Sequence, residues 1–151
     1  MLHEERVRAE WVDRNGHMNL AYFVVIFDHA TDKLFDALGI GEAYTEASGN
    51  TMFVVETHTL YERELRQDEL ARVNTVVLGG DTKRLHFVHE MSRPDGSRAA
   101  LQEIMTVHVS LTARRSAPFP AERRAAVAQA VAAQAGLERP HGVGRRIALP
   151  G

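Results

Sequence analysis

The chain contains no cysteine. Disulfides, thiolate metal sites and cysteine nucleophiles are therefore all excluded. It has no apolar run approaching the roughly 20 residues that a membrane-spanning helix needs. Its start, Met1-Leu2-His3-Glu4-Glu5-Arg6, lacks the basic end and apolar stretch of a signal peptide. It has no excess of one charge: 18 Lys and Arg against 20 Asp and Glu leave a net charge of −2. Nothing in that balance calls for nucleic acid or a membrane surface as partner. None of the eight histidines falls into a metal-spaced cluster such as HExxH. These absences predict a soluble cytoplasmic protein with no metal and no cofactor. What is present is ordinary for a folded domain: 151 residues, 44% apolar and 25% charged. With no internal repeat, one domain is expected over residues 1–135, followed by a tail over 136–151 that carries Pro140, Gly142, Gly144 and Pro150.

The pattern along the chain predicts an α+β fold. Glu5 to Trp11 reads as a first short strand, with Val7 and Ala9 on one side. Asp13 to Met18 is a turn, and Asn19 is suited to cap a helix through an N–H near Tyr22. From Leu20 to Leu38, Phe23, Phe27, Ala30, Leu34 and Leu38 recur at three- and four-residue spacing, the signature of an amphipathic helix. Gly39 and Gly41 end it, and Glu42 to Ser48 adds a short helical turn. Four strands are expected next: Thr51–Leu65, Glu69–Leu78, Lys83–Ser92 and Arg98–Ala113. In the third, Leu85, Phe87, His89 and Met91 share a face. In the fourth, Leu101, Met105, Val107, Val109 and Leu111 do. After Pro118-Phe119-Pro120, the Ala-rich stretch from Ala121 to Ala135 is a second long helix by propensity. One long helix with a single apolar stripe needs a curved antiparallel sheet to wrap it. Such a sheet keeps an open edge, which a second copy of the chain covers most simply.

The stretch Trp11-Val12-Asp13-Arg14-Asn15-Gly16-His17-Met18-Asn19 carries the chemistry. An Asp three residues before a Gly, on a turn running into a helix, can sit beside the positive end of that helix. The arrangement suits attack on a carbonyl carbon: a carboxylate to deliver water, and backbone N–H groups to polarise the carbonyl oxygen. It needs no Ser, no Cys and no metal.

The pattern resembles the hotdog fold, and within it the 4-hydroxybenzoyl-CoA thioesterase family. The resemblance rests on Asp13-Arg14-Asn15-Gly16-His17-Met18-Asn19 with Tyr22 and Phe27, on the block from Tyr61 to Glu69, and on Thr112-Ala113-Arg114-Arg115 before Pro118-Phe119-Pro120. It runs from about residue 5 to about residue 130. The opening motif together with Glu56-Thr57-His58 is similar to the betainyl-CoA thioesterases of carnitine breakdown. The resemblance implies a curved sheet around one central helix, hydrolysis of acyl-CoA to acid and CoA, and an active site built by two chains of a homodimer. CoA is then part of the substrate. The resemblance makes Asp13 the catalytic carboxylate and places the carbonyl-polarising N–H near Leu20.

Each residue also has a plainer reading. Asp13 is either the catalytic carboxylate, as general base or as nucleophile, or a turn residue capping a nearby N–H. Asn15 places a water or the carbonyl, or only stabilises the turn. Gly16 permits a positive φ or close approach of the acyl group. His17 is read as a structural histidine bonded across the turn, because Asp13 already supplies the carboxylate. His58 is an acyl-pocket residue or a satisfied strand histidine. Lys83, Arg84, Arg114 and Arg115 are solvated charges or, as the resemblance implies, contacts to CoA phosphates. Trp11, Tyr22, Phe23 and Tyr61 are core aromatics; for a quaternary ammonium acyl group they form a cage, with Glu56 as counter-charge. Two rival functions stand beside the thioesterase: a hotdog hydratase or dehydratase using His17 with Asp13, and a non-catalytic acyl-CoA-binding module, against which the presence of Asp13 argues.

Overall fold

The computed structural model describes residues 1–149; Pro150 and Gly151, at the end of the expected tail, lie outside the described residues. The chain opens with β1 (Leu2–Arg6), one 3-10 turn (Ala9–Trp11), the long helix α1 (Leu20–Ala37) and the short α2 (Glu42–Ser48). Strands β2 (Asn50–Tyr61), β3 (Leu70–Gly80), β4 (Arg84–Ser92), β5 (Arg98–Ser110) and β6 (Arg115–Ser116) follow, and α3 (Ala121–Gln134) closes the sequence of elements. The sheet is antiparallel in the order β1-β3-β4-β5-β2, with β6 added at the end of β5. Its path therefore ends on β1 and on the twelve-residue β2.

Helix α1 forms where the apolar spacing places it. Asn19 caps it: its side chain accepts the Ala21 N–H at 3.0 Å, one residue before the expected partner, while the Tyr22 N–H goes to the Asn19 carbonyl. Gly39 ends the helix with φ +68°, a conformation that favours glycine. The buried stripe of α1 meets the sheet in two clusters. Phe23 and Phe27 pack with Trp11, Met18, Val73 and Met91, while Leu34 and Phe35 pack with Leu85, Phe87, Ile104 and Val127. Phe27 is fully buried, and truncating a side chain like it to Ala costs about 3–5 kcal/mol.

Three expectations are corrected. The first strand is Leu2–Arg6, not Glu5–Trp11. Its ladder with β3 ends at Arg6 opposite Leu70, after which the chain turns so that Trp11 enters the core. The 3-10 turn is closed by the Trp11 N–H on the Arg8 carbonyl. The second strand stops at Tyr61 rather than Leu65. Most important, the face of β5 toward the helices carries Gln102, Ile104, Thr106 and His108, not the odd-numbered apolar set. The polar members are acceptable inside because each is satisfied. Gln102 donates to Thr59, Thr106 donates to the Leu85 carbonyl, and His108 is bonded to Tyr44 and to the Ala117 carbonyl. On the outer face, Leu101 is covered by the chain's own C-terminal segment, where Val143 packs with Leu60, Val76 and Val88. The segment expected as a tail thus crosses the outer face of the sheet, and its Gly144 N–H donates to Glu103.

His89 of β4 lies fully buried between two hydroxyls, with Thr31 Oγ1 at Nε2 and Thr75 Oγ1 at Nδ1, each at 2.9 Å. Burial pushes its pKa down to about 3, with His3 and the chain's amino terminus acting in the same direction, so the ring is neutral. No helix among the described residues is long and apolar enough to cross a membrane.

Candidate active site

The turn before α1 is a closed loop. Val12 and Met18 bridge its neck, the Asp13 N–H donates to the His17 carbonyl at 3.0 Å, and the Gly16 N–H donates to the Asp13 carbonyl at 3.0 Å. Gly16 takes φ +81°, which an L side chain adopts only with strain. The loop is moored to the rest of the fold by Met18 N–H on the Leu65 carbonyl and Asn19 N–H on the Trp11 carbonyl. Asp13 is half-buried. Its Oδ1 accepts the Asn15 N–H at 2.8 Å, and its Oδ2 accepts no hydrogen bond among the described residues. The Leu20 N–H, at the start of α1, likewise has no partner among the described residues. A carboxylate with a free oxygen and an open N–H at a helix N-terminus is the pair of groups that acyl transfer to water requires.

His17 is tied at one ring nitrogen to a carboxylate. Its Nε2 lies 2.9 Å from Glu64 Oε2, across the connection between β2 and β3. Glu64 in turn is held below the usual carboxylate range by its hydrogen bond from Arg66, with His17 adding to the effect. The sequence reading missed Glu64, because only the fold brings the β2–β3 connection to the turn. His17 is thus bonded across the turn, through a side chain and not through backbone.

A shallow cleft of about 330 Å³ opens beside the helix start, lined by Met18, Leu20, Phe23, Tyr61, Glu62 and Glu64 among others. Tyr61 and Phe23 meet edge to face, 5.4 Å between centroids. Phe23 is buried, whereas Tyr61 is 47% exposed; burial of its hydroxyl raises the phenol pKa, so it stays protonated. Asp13 is not among the residues lining this cleft. Trp11 offers no open aromatic face: it is 6% exposed, stacked on Tyr22 at 5.3 Å and covered by the Arg8 guanidinium at 4.8 Å. The expected cage therefore loses Trp11, and Tyr22 spends its ring on Trp11.

Glu56 and His58 are not brought to Asp13 within one chain. They lie on the outer face of the sheet, in a separate cavity of about 350 Å³ with His86, Glu103 and the C-terminal Arg145 and Arg146. His86 and Glu103 pair there at 2.7 Å, and His58 Nδ1 is buried without a hydrogen-bond partner among the described residues. The basic residues gather at one end of the sheet. Lys83 Nζ donates to Ser116 of β6, Arg115 pairs opposite Ser110, and Arg114 forms the corner with φ +51°. Arg84 is tied to Asp81 at 2.9 Å. This is the Asn50 end of β2, whereas Tyr61 marks the other end, eleven residues along the strand. At about 3.3 Å per residue the two ends are roughly 36 Å apart.

The edge strand β2 is apolar and uncovered at its middle: Phe53, Val54 and Val55 are all half exposed or more. Leu20 and Val24 of α1 and Leu111 beyond β5 add to this exposed apolar surface. A long apolar edge of this kind is a pairing surface.

Comparison with known proteins bears on this geometry. Residues 7–131 match the model of the thioesterase-like superfamily. A Pseudomonas aeruginosa betainyl-CoA thioesterase is 41% identical over 149 residues, covering 98% of this chain and 94% of that protein. A Rhizobium meliloti L-carnitine dehydrogenase/betainyl-CoA thioesterase is 34% identical over 95% of this chain, which spans only 29% of that longer protein. A Staphylococcus aureus protein solved in complex with CoA superposes with a TM-score of 0.93 at 29% identity, covering 99% of this chain and 94% of that one.

Proposed function

The chain belongs to the thioesterase-like superfamily, with the hotdog fold, and is an acyl-CoA thioester hydrolase; we propose that betainyl-CoA is its substrate and that Asp13 is the carboxylate that drives hydrolysis. The observation that carries the catalytic part is that one short turn leaves both the Asp13 Oδ2 and the Leu20 N–H at the start of α1 without a hydrogen-bond partner among the described residues. Asp13 takes a proton from water, and the water oxygen attacks the thioester carbon. The negative charge that develops on the carbonyl oxygen is met by the Leu20 N–H and the positive end of α1. Collapse breaks the C–S bond. The CoA thiolate leaves and takes up the proton held by Asp13, giving the free acid and CoA.

A twofold dimer completes the site in this reading. If β2 pairs antiparallel with its copy, the Asn50 end of one strand lies beside the Tyr61 end of the other. The basic group around Lys83, Arg114 and Arg115 of the second chain then comes within reach of the Tyr61 cleft of the first, where CoA phosphates need cations. The strand separation within one chain and the bare apolar edge both support this arrangement.

Support for the betainyl group comes from the 41% identical betainyl-CoA thioesterase and from Tyr61, whose exposed ring stands in the cleft to receive a trimethylammonium head. A thiol-release assay across a panel of acyl-CoAs tests the substrate. The highest kcat/KM is expected with betainyl-CoA; a tenfold preference for an uncharged aliphatic or aromatic acyl-CoA would remove betainyl-CoA from the account.

A further inference from the structure

Three metal-ligating side chains that no linear spacing joins meet at the far edge of the sheet from β2. His3 and Glu5 are two residues apart on β1, so both point to the same face. That face meets α1, and His29 reaches down from it. His29 Nδ1 lies 2.7 Å from Glu5 Oε2, and His3 Nε2 lies 3.2 Å from the same oxygen. One ligand atom from each of the three falls within 4.8 Å of the others. We propose that His3, Glu5 and His29 form a binding site for a transition-metal dication of the zinc class, clamping β1 to α1.

The donor set fits such an ion and not the harder ones. Two imidazole nitrogens and one carboxylate oxygen, with a fourth position open to water, suit zinc, cobalt or nickel. Magnesium and calcium demand oxygen-rich shells. A tetrahedral ion with bonds of about 2.0–2.1 Å needs its ligand atoms about 3.3 Å apart; His3 and Glu5 are already near that spacing, and the 2.7 Å between Glu5 and His29 must open slightly. Access is one-sided: the His3 and Glu5 side chains are 9% and 13% exposed, while that of His29 is 41% exposed.

His3 has no other evident reason to be buried. Its Nδ1 is shielded from solvent and has no hydrogen-bond partner among the described residues, so its polar function lies at Nε2, inside the cluster. The Glu5 carboxylate is ionised there: burial would raise its pKa, yet the hydrogen bonds from His29 and His3 hold it below the usual range. The surrounding charge is mixed and net acidic. Arg8 sits on the other Glu5 oxygen at 3.3 Å, and Asp32, with Asp28 behind it, faces His29 along α1. His89 nearby is neutral and committed to Thr31 and Thr75.

The test uses untagged, chelator-stripped full-length protein titrated with zinc chloride in a calorimeter, with cobalt(II) absorbance as a second readout. One ion per chain is expected, with a visible d–d band for cobalt and no response to magnesium. His29→Ala, a substitution at a half-exposed position, is expected to weaken zinc binding at least tenfold and to remove the cobalt band. Glu5→Gln should do the same. Absence of zinc binding below millimolar concentration, binding unchanged in His29→Ala, or equal binding of magnesium would each overturn the site. None of these results depends on the identity of the thioester substrate.

Discussion

Asn19 and Ala21 are joined by a hydrogen bond of 3.0 Å from the Ala21 N–H to the Asn19 side chain, and the Asn19 carbonyl takes the next N–H, that of Tyr22. Between them the Leu20 N–H is left with no partner among the described residues. The cap thus does two things at once: it satisfies the helix start and leaves one donor open at the point where the turn carrying Asp13 ends. Removing an Asn cap costs about 1 kcal/mol. Asn19→Ala is therefore expected to lower the free energy of unfolding by about 1 kcal/mol, read as a lower urea midpoint, and to reduce turnover, because the vacated Ala21 N–H no longer holds the first turn rigid. Equilibrium unfolding with no change in midpoint would show that the cap is not contributing.

The buried His89 makes stability depend on pH. Its pKa in the folded chain, about 3, lies below the ordinary value of 6.5. Between those values the unfolded chain binds a proton that the folded chain does not. Stability is thus complete above about pH 6.5 and falls as the pH drops toward 3, by at most about 1.4 kcal/mol per pH unit from this group. Urea denaturation at pH 7 and pH 5 should show the loss in the wild type. A His89→Gln variant should show a smaller difference between the two pH values, even if it is less stable at both. Equal pH dependence in the two proteins would mean that His89 titrates normally.

The dimer is tested at Val55, which is 58% exposed in the middle of β2. Light scattering should give twice 16.8 kDa for the wild type. Val55→Asp would set like charges face to face across the twofold and should give the monomer, with turnover lost together with assembly. A fully active monomeric variant would show that one chain suffices for the site.

The cation preference is tested at Tyr61. A trimethylammonium group over an aromatic face gains about 0.5–2 kcal/mol, which is up to roughly thirtyfold in kcat/KM. Betainyl-CoA is therefore expected to exceed its neutral tert-butyl analogue by up to that factor, and Tyr61→Leu should bring the two together. If the wild type handles both equally, no aromatic contact reads the charge.

The order of elements, the span of α1 and the cap at Asn19 were legible because periodicity and capping are local properties of the chain. The inward face of β5 was not. Alternation sets Gln102, Thr106 and His108 opposite the apolar odd-numbered face, and the partners that let them turn inward, Thr59, the Leu85 carbonyl, Tyr44 and the Ala117 carbonyl, come from other elements. The same limit applies at the site. Asp13 and Leu20 sit within eight residues of each other, so the turn announces them. The burial of Trp11 under Arg8, the pairing of His17 with Glu64, and the placement of Glu56 and His58 on the outer face all depend on contacts between distant segments. Residues 136–151 read only as a tail, because their glycines and prolines say nothing of Val143 and Gly144 finding the outer face of the sheet.

The most direct test of the account is the steady-state rate of Asp13→Asn against betainyl-CoA. Asn keeps the shape of the side chain and can still accept the Asn15 N–H through its oxygen, so the turn should hold and KM should stay within a fewfold of the wild type. Loss of the base should lower kcat by about 10²–10⁴-fold. A purified, folded Asp13→Asn enzyme that keeps more than about a tenth of the wild-type rate would contradict the assignment of Asp13 as the group that drives hydrolysis.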